Sequence, residues 1–345
     1  MNPIDKRFIT AAGVTLVFLY LVILAGSVVR ASGSGMGCPD WPRCFGYYIP
    51  PTDPMQLDFH PSHEYTKGMM IIENDTLWRA KEKFTSGSVF TYDHWEKYPV
   101  HNYAKFVVVQ TWTEYINRLL GALSGLASLV LLFYAIKRWK SDKISLGLVL
   151  LHLFTIGFVA WLGKVVVDTN LKPTTITLHM LCAILMVFIM IIVRYRAMNL
   201  AGTLEKVSVG SGLRTMAIAA LVVTLGQIIL GTQVRQEIDH IYKSMDGGSR
   251  ETWIEQLSSR YSLHFSMAMA MVVLYGILWF VLRKSITVPQ TRMLLNASVL
   301  IVLFAYGAGV IMHNFGIPAY IQPMHLLAAM ILAGVQFALL LRLKK

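Results

Sequence analysis

Eight long apolar runs with polar flanks follow one another along the chain: Phe8–Val29, Thr113–Ile136, Ile144–Val167, Thr175–Val193, Leu213–Val234, Tyr261–Leu282, Met293–Met312 and Tyr320–Leu343. Their lengths match the about 20 residues that a helix needs to cross the hydrocarbon of a bilayer. Only helices and closed barrels satisfy their backbones there. Several runs contain glycine, which membrane helices tolerate where neighbours pack closely. One long polar segment (31–112) lies between the first two runs, and a shorter one covers Gln236–Arg260. The pattern predicts an all-α polytopic membrane protein with eight transmembrane helices.

Composition supports this reading. Of 345 residues, 55% are hydrophobic and 14% charged, against roughly 25% charged in soluble domains, and the mean hydropathy is +0.54. A soluble enzyme is excluded. Three cysteines are too few for a disulfide scaffold or a Cys-rich metal site. The net charge of +12 would suggest nucleic acid in a soluble protein, but its distribution says otherwise. With the N-terminus inside, segments 1–7, 137–143, 194–214, 283–292 and the C-terminal end hold 16 Lys/Arg against three acids. The rest of the chain is nearly neutral. This is the positive-inside pattern; the basic excess faces membrane lipid, and no nucleic acid is needed. Cytoplasmic N- and C-termini follow. The first run is longer than the 7–15 residues of a signal-peptide core, so it is expected to be a retained helix. It also starts too early to leave room for a transit peptide, which makes the bacterial plasma (inner) membrane the expected location.

The chain repeats itself. Gly26-Ser27-Val28-Val29-Arg30 and Gly231-Thr232-Gln233-Val234-Arg235 end the first and fifth runs at an offset of 205. Gly163 precedes His179 by 16 residues, as Gly309 precedes His325. Glu114-Tyr115-Ile116-Asn117 aligns with Tyr261-Ser262-Leu263-His264. Two tandem pseudo-symmetric four-helix bundles are expected: 1–200, including the long outer loop 31–112, and 201–345.

Histidine is costly in lipid without a partner. Of ten, His60, His63, His94, His101 and His240 lie in outer polar segments and are expected to be solvated. His152 and His313 read as structural or interfacial. His264 and His325 each sit about one turn below the outer start of their helices, at similar depth by the 1.5 Å rise per residue. Two imidazoles at one level are how a bundle grips a heme iron from both faces; the alternative is a hydrogen-bonded core histidine in each helix. In the first half His179 matches His325, but Asn117 stands where His264 sits. An amide is a poor iron ligand, so Asn117 is a candidate to hydrogen-bond water or a ligand on iron. Glu114, one turn earlier on the same face, is a candidate functional carboxylate or an interfacial partner of Arg118. Arg30 and Arg235 occupy equivalent outer positions, suited either to interfacial anchoring or to carboxylates such as heme propionates. Cys182 reads as a small packing residue, and Lys164 snorkels. Cys38 and Cys44, on the oxidising side, can close a small loop or exchange electrons.

The stretch Ser32-Gly33-Ser34-Gly35-Met36-Gly37-Cys38-Pro39-Asp40-Trp41-Pro42 resembles the G-S-G-x-x-C-P-D-W-P segment after the first helix of the heme A synthase family. Glu114-Tyr115-Ile116-Asn117-Arg118-Leu119-Leu120-Gly121 is similar to that family's E-Y-x-H-R-x-x-G stretch. The resemblance runs through all eight helices. It implies oxidation of the C8 methyl of heme O to a formyl group, giving heme A for terminal oxidase assembly. It implies a b-type heme (iron) on His264 and His325 near Arg235, and substrate heme near His179, Asn117, Arg118 and Arg30. Glu114 matches the family's essential carboxylate, and Cys38/Cys44 a redox cysteine pair of some bacterial members. Heme O synthase is the implied supplier of substrate, and a homo-oligomer is compatible with the resemblance. No motif names the electron donor. Two features depart from the pattern: Asn117 replaces histidine, and the first outer loop is unusually long. Competing readings are a b-type membrane electron-transfer cytochrome with two histidine ligands, which needs no Glu114, and a heme carrier or assembly factor without catalysis.

Overall fold

A computed structural model describes residues 1–98, 105–169, 173–244 and 252–344. Each apolar run, but for the end residues Tyr320 and Leu343 of the last, lies in a helix: α1 Pro3–Ala31, α2 Val108–Lys137, α3 Lys143–Asp168, α4 Pro173–Leu200, α5 Ser211–Ser244, α6 Ser259–Ser285, α7 Pro289–Asn314 and α8 Ile321–Arg342. All eight are long and apolar enough to cross a membrane, and the chain is a multi-pass membrane protein. Side chains such as Phe154, Leu300 and Val273 stay exposed on the helix flanks, as lipid-facing positions should. Short polar residues start α1, α3 and α6. The Asn2 side chain accepts from the Ile4 amide ahead of Pro3, Asp142 from the Ser145 amide, and Ser258 from the Arg260 amide, which satisfies amides that have no partner within the helix.

Among the described residues, extensive packing runs round two rings, α1–α2–α3–α4 and α5–α6–α7–α8. Each ring has its own apolar core. Phe8, Leu131, Val149 and Met190 anchor the first; Tyr275, Leu278, Leu295 and Leu339 anchor the second. The rings meet along α1, α4, α5 and α8, where Ile184, Ile228, Met330 and Ala333 form a seam. Some polar groups inside the rings pair with each other. Ser128 Oγ lies 3.0 Å from His152 Nε2, and Thr224 Oγ1 lies 2.7 Å from Tyr275 Oη. At the end bearing both termini, Arg138 pairs with Asp5 at 2.6 Å and Arg196 with Asp142 at 2.8 Å. A short parallel pair, β6 (Val207–Ser208) with β7 (Leu343–Lys344), ties the α4–α5 connection to the C-terminal end.

Two features differ from the sequence expectation. The polar segment after the fifth run does not begin at Gln236, because α5 continues to Ser244. Val234, Ile238 and Ile241 recur at helical spacing and bury against Trp253 and Ile317, so an amphipathic extension replaces the loop. The long outer segment, besides loop, carries a small antiparallel β-module: β1 Glu64–Tyr65, β2 Met70–Glu73, β3 Thr76–Ala80, β4 Phe84–Thr85 and β5 Trp95–Lys97. β1 pairs with β4, and the other strands form a sheet in the order β2–β3–β5. Asn74 and Asp75 turn the β2–β3 hairpin with φ of 50° and 53°, the left-handed conformation that two-residue hairpin turns require. Tyr65, Ile71, Ala80 and Trp95 fill its centre.

Candidate functional site

In both rings a glycine on an odd-numbered helix faces a polar side chain on the following even-numbered one. Gly26 faces Asn117, Gly163 faces His179, Gly231 faces His264 and Gly309 faces His325. These are the glycines and partners that the sequence repeat aligned. A Cβ at Gly26, Gly163 or Gly309 would lie 3.7 Å from its partner, an ordinary contact. At Gly231 it would lie 2.9 Å from His264 Cε1. Only the absence of a side chain lets α5 and the imidazole come so close.

The structure brings His264 and His325 together across the second ring, with ring centroids 6.3 Å apart and planes at 69°. His325 Nδ1 lies 2.9 Å from the Ala305 carbonyl on α7. A carbonyl only accepts, so Nδ1 carries the proton and Nε2 keeps its lone pair. Such a hydrogen bond fixes the tautomer of a ligating histidine. His264 Nδ1 is buried without a hydrogen-bond partner, while the carbonyl of the same residue accepts from Gln227 Nε2 at 2.8 Å, pinning α6 to α5. A metal–imidazole bond is about 2.0–2.1 Å, so rings at this separation are spaced to reach one ion from opposite sides. Among the described residues, no group of three or more His, Cys, Asp or Glu side chains converges on a point. An ion between these rings would have two imidazoles as its side-chain ligands of this kind. The donor set fits a heme iron.

The first ring is built differently at the same places. His179 Nδ1 and Asn117 Oδ1 are each buried without a hydrogen-bond partner. Glu114 is 4% exposed, and both its oxygens are engaged. Oε1 takes Arg118 Nη2 at 2.5 Å, and Oε2 accepts the Cys38 amide at 2.9 Å. Arg118 in turn donates from Nη1 to the carbonyls of Asp40 at 2.7 Å and Arg43 at 2.9 Å, and from Nη2 to that of Cys38 at 3.4 Å. Residues 38–44, closed by a Cys38–Cys44 disulfide, are thus clamped onto α2. Further bonds fix this loop. Thr111 Oγ1 donates to the Gly37 carbonyl and Tyr98 Oη to that of Pro39, both at 2.8 Å. A Cβ on Gly37 would lie 2.5 Å from the Gln110 carbonyl oxygen, so nothing larger than glycine fits. Burial pushes the Asp40 carboxyl above its usual range, opposed by amide bonds from Gly46 and Phe45 and by Arg118. Burial and the neighbouring Asp40 push the Tyr98 phenol up to about 12.

Where the rings meet, Arg30 and Arg235 share one carboxylate: Arg30 reaches Asp239 Oδ2 at 2.7 Å and Arg235 reaches Oδ1 at 2.9 Å. Arg235 also donates to the Arg30 carbonyl at 3.3 Å. Asp239 lies in the part of α5 that the apolar pattern left as loop, so sequence reasoning missed it; its spacing of four from Arg235 was the available signal. Ala305 and Gln227 were also missed, since contacts through a backbone carbonyl leave no mark in sequence. His152, His313 and Cys182 stand apart from these slots. His152 bonds Ser128, His313 Nδ1 lies 2.6 Å from Tyr261 Oη, and Cys182 is a half-buried free thiol. Lys164 pairs with Asp168. His60 and His94 are in exposed contacts of the outer segment, and His101 lies outside the described residues.

Residues 10–85 and 66–337 match the COX15-CtaA model, described as a cytochrome oxidase assembly protein. The chain is similar to a heme A synthase of Shewanella oneidensis, 27% identical over 219 residues, which are 63% of this chain and 54% of that protein. Shorter stretches are similar to the heme A synthases of Geobacillus kaustophilus, 36% identical over 75 residues (20% of this chain, 23% of that one), and Bacillus cereus strain AH187, 38% over 65 (18% and 21%). The chain thus spans about half the length, or less, of these relatives.

Proposed function

Since the chain belongs to the COX15-CtaA family of cytochrome oxidase assembly proteins, we propose that it is a membrane oxidoreductase that converts heme O to heme A by oxidising the C8 methyl to a formyl group. The observation that carries the heme reading is the His264–His325 pair, 6.3 Å apart with the tautomer of His325 set by Ala305. These two side chains would hold a b-type heme in the C-terminal bundle, 201–345. His179 would hold the substrate heme in the N-terminal bundle, 1–200, with Asn117 in the neighbouring slot. The bound hemes supply the electron transfer and oxidising chemistry.

The chain's own groups provide position and protons. Arg30 and Arg235, one turn outward of Gly26 and Gly231, would hold the heme propionates by charge-assisted bonds, and Asp239 keeps the two guanidiniums together. Glu114 holds a proton or a charge at Oε2 when the Cys38 amide withdraws. The Cys38–Cys44 loop caps the site on the loop side and excludes water. The excess of Lys and Arg at the end bearing the termini supports a bacterial plasma-membrane protein with that end cytoplasmic. Substrate then comes from heme O synthase, and product goes to terminal oxidase assembly. Co-expression with a source of heme O, then chromatography of extracted hemes, tests this. Heme A is expected; heme-loaded, folded protein yielding only unchanged heme O overturns the oxidation.

A further inference from the structure

The repeat makes one asymmetry chemically sharp. Gly231 meets His264 and Gly26 meets Asn117; Gly309 meets His325 and Gly163 meets His179. The four slots are therefore in matching register, and the first ring places a carboxamide where the second places an imidazole. We propose that the N-terminal bundle holds heme iron through His179 alone, and that the position opposite, on the Asn117 side, is kept open for a small exogenous ligand that the Asn117 carboxamide hydrogen-bonds. This rests on the heme reading given above and deepens it.

Asn117 Oδ1 is buried with no hydrogen-bond partner. Such a group costs stability unless something polar satisfies it. No other side chain on that face of α2 can take over as iron ligand. One turn toward the loop, Glu114 has both oxygens engaged by Arg118 and the Cys38 amide, and the Thr113 hydroxyl donates back to the Val109 carbonyl at 2.7 Å. One turn the other way stand Leu120 and Gly121, which offer no donor atom. Cys182 is three residues from His179 on the same helix, on the side where iron already has its imidazole. The carboxamide is also shorter than an imidazole and a poor donor to iron, but its unpartnered Oδ1 can accept from a protic molecule on the metal, such as water, and its N–H₂ can donate to one that only accepts. Neutral, compact ligands fit best, because the surroundings on α2 are either apolar or already paired. Carbon monoxide is the natural probe.

Full-length protein is purified heme-loaded, its heme counted, and the reduced absorption spectrum recorded before and after carbon monoxide. Two hemes per chain are expected: one low-spin and inert, one high-spin and binding the gas. His179→Ala removes the reactive heme and leaves the inert one. Asn117→His gives a second low-spin heme and a loss of more than tenfold in bound carbon monoxide. Asn117→Val, which keeps the position open should the histidine variant fold poorly, still binds the gas but shifts its stretching frequency. Two low-spin hemes in the unaltered protein, or a single low-spin heme that persists after titration with further heme, overturns the open position while leaving the C-terminal heme intact. A protein with no heme at all overturns the heme reading itself.

Discussion

The two bundles share a scaffold and differ in what stands at the loop end of their second helix. In the first, Glu114 and Arg118 form a buried charged pair that reaches into the disulfide loop. In the second, the aligned residues are Tyr261 and Phe265, which pack with His313; the Phe265 and His313 rings are 5.4 Å apart and Tyr261 Oη bonds His313 at 2.6 Å. One turn further in, the first bundle has Asn117 and the second His264. So the second bundle has aromatic, uncharged side chains at these mouth positions and two imidazoles at its centre, which suits a permanently held group. The first is charged at its mouth, capped by a pinned loop, and incomplete at its centre, which suits a group that must enter, react and leave. On the proposed function, a few side chains divide the tasks within a shared frame.

The strongest way to break that comparison is to remove the imidazoles singly. His264→Ala or His325→Ala is expected to abolish the low-spin b-type absorption, since the remaining ring cannot hold iron from both faces. His179→Ala should spare it completely. Optical spectra of the purified variants decide this, and the reverse pattern would exchange the roles of the two halves. An electron-transfer cytochrome would need only the first result.

A smaller but still large effect is expected at the clamp. Arg118→Ala leaves the Glu114 carboxyl 4% exposed and without its ion-pair partner, still bonded to the Cys38 amide. Removing one partner of a buried ion pair costs about 3–5 kcal/mol. The same change frees the carbonyls of Cys38, Asp40 and Arg43, so the loop should also become open to proteolysis. Phe265→Ala, at the matching place in the second bundle, removes apolar packing but strands no charge. It should leave the loop protected. Thermal unfolding in detergent and limited digestion measure both.

The apolar pattern and the repeat made eight helices and the register of the two halves readable, because both are periodic and both are carried by side chains. Gly26, Gly163, Gly231 and Gly309 were visible as aligned glycines, yet their meaning, contact with Asn117, His179, His264 and His325, needed three dimensions. What stayed hidden depends on long-range or backbone partners. Arg118 looked like a candidate for the substrate and is found gripping loop carbonyls about 75 residues away. Arg30 and Arg235 read as equivalent outer positions suited to anchoring or to propionates, and they share Asp239, which that reading did not include. The β-module was unreadable because its strands are two to five residues long and its order comes from interlocking aromatics such as Tyr65 and Trp95, at 4.9 Å, with no long alternating pattern.

The finest test of the comparison uses the glycines themselves. A methyl at Gly231 would stand 2.9 Å from His264 Cε1, on a stretch of α6 pinned to α5 where the His264 carbonyl accepts from Gln227. With the backbone held close, the ring has to yield by turning away from its place beside His325. Gly231→Ala should therefore cost about 1–3 kcal/mol through overpacking and shift the low-spin band. A methyl at Gly26 meets Asn117 Oδ1 at 3.7 Å, where nothing has to move. There the intrinsic preference of alanine for helix, worth roughly 0.5–1 kcal/mol over glycine, should dominate, and Gly26→Ala should be neutral or slightly stabilising with an unchanged spectrum. Equal penalties at the two sites would mean that the first bundle grips its slot as tightly as the second, and the division of labour between them would then have to lie elsewhere than in these slots.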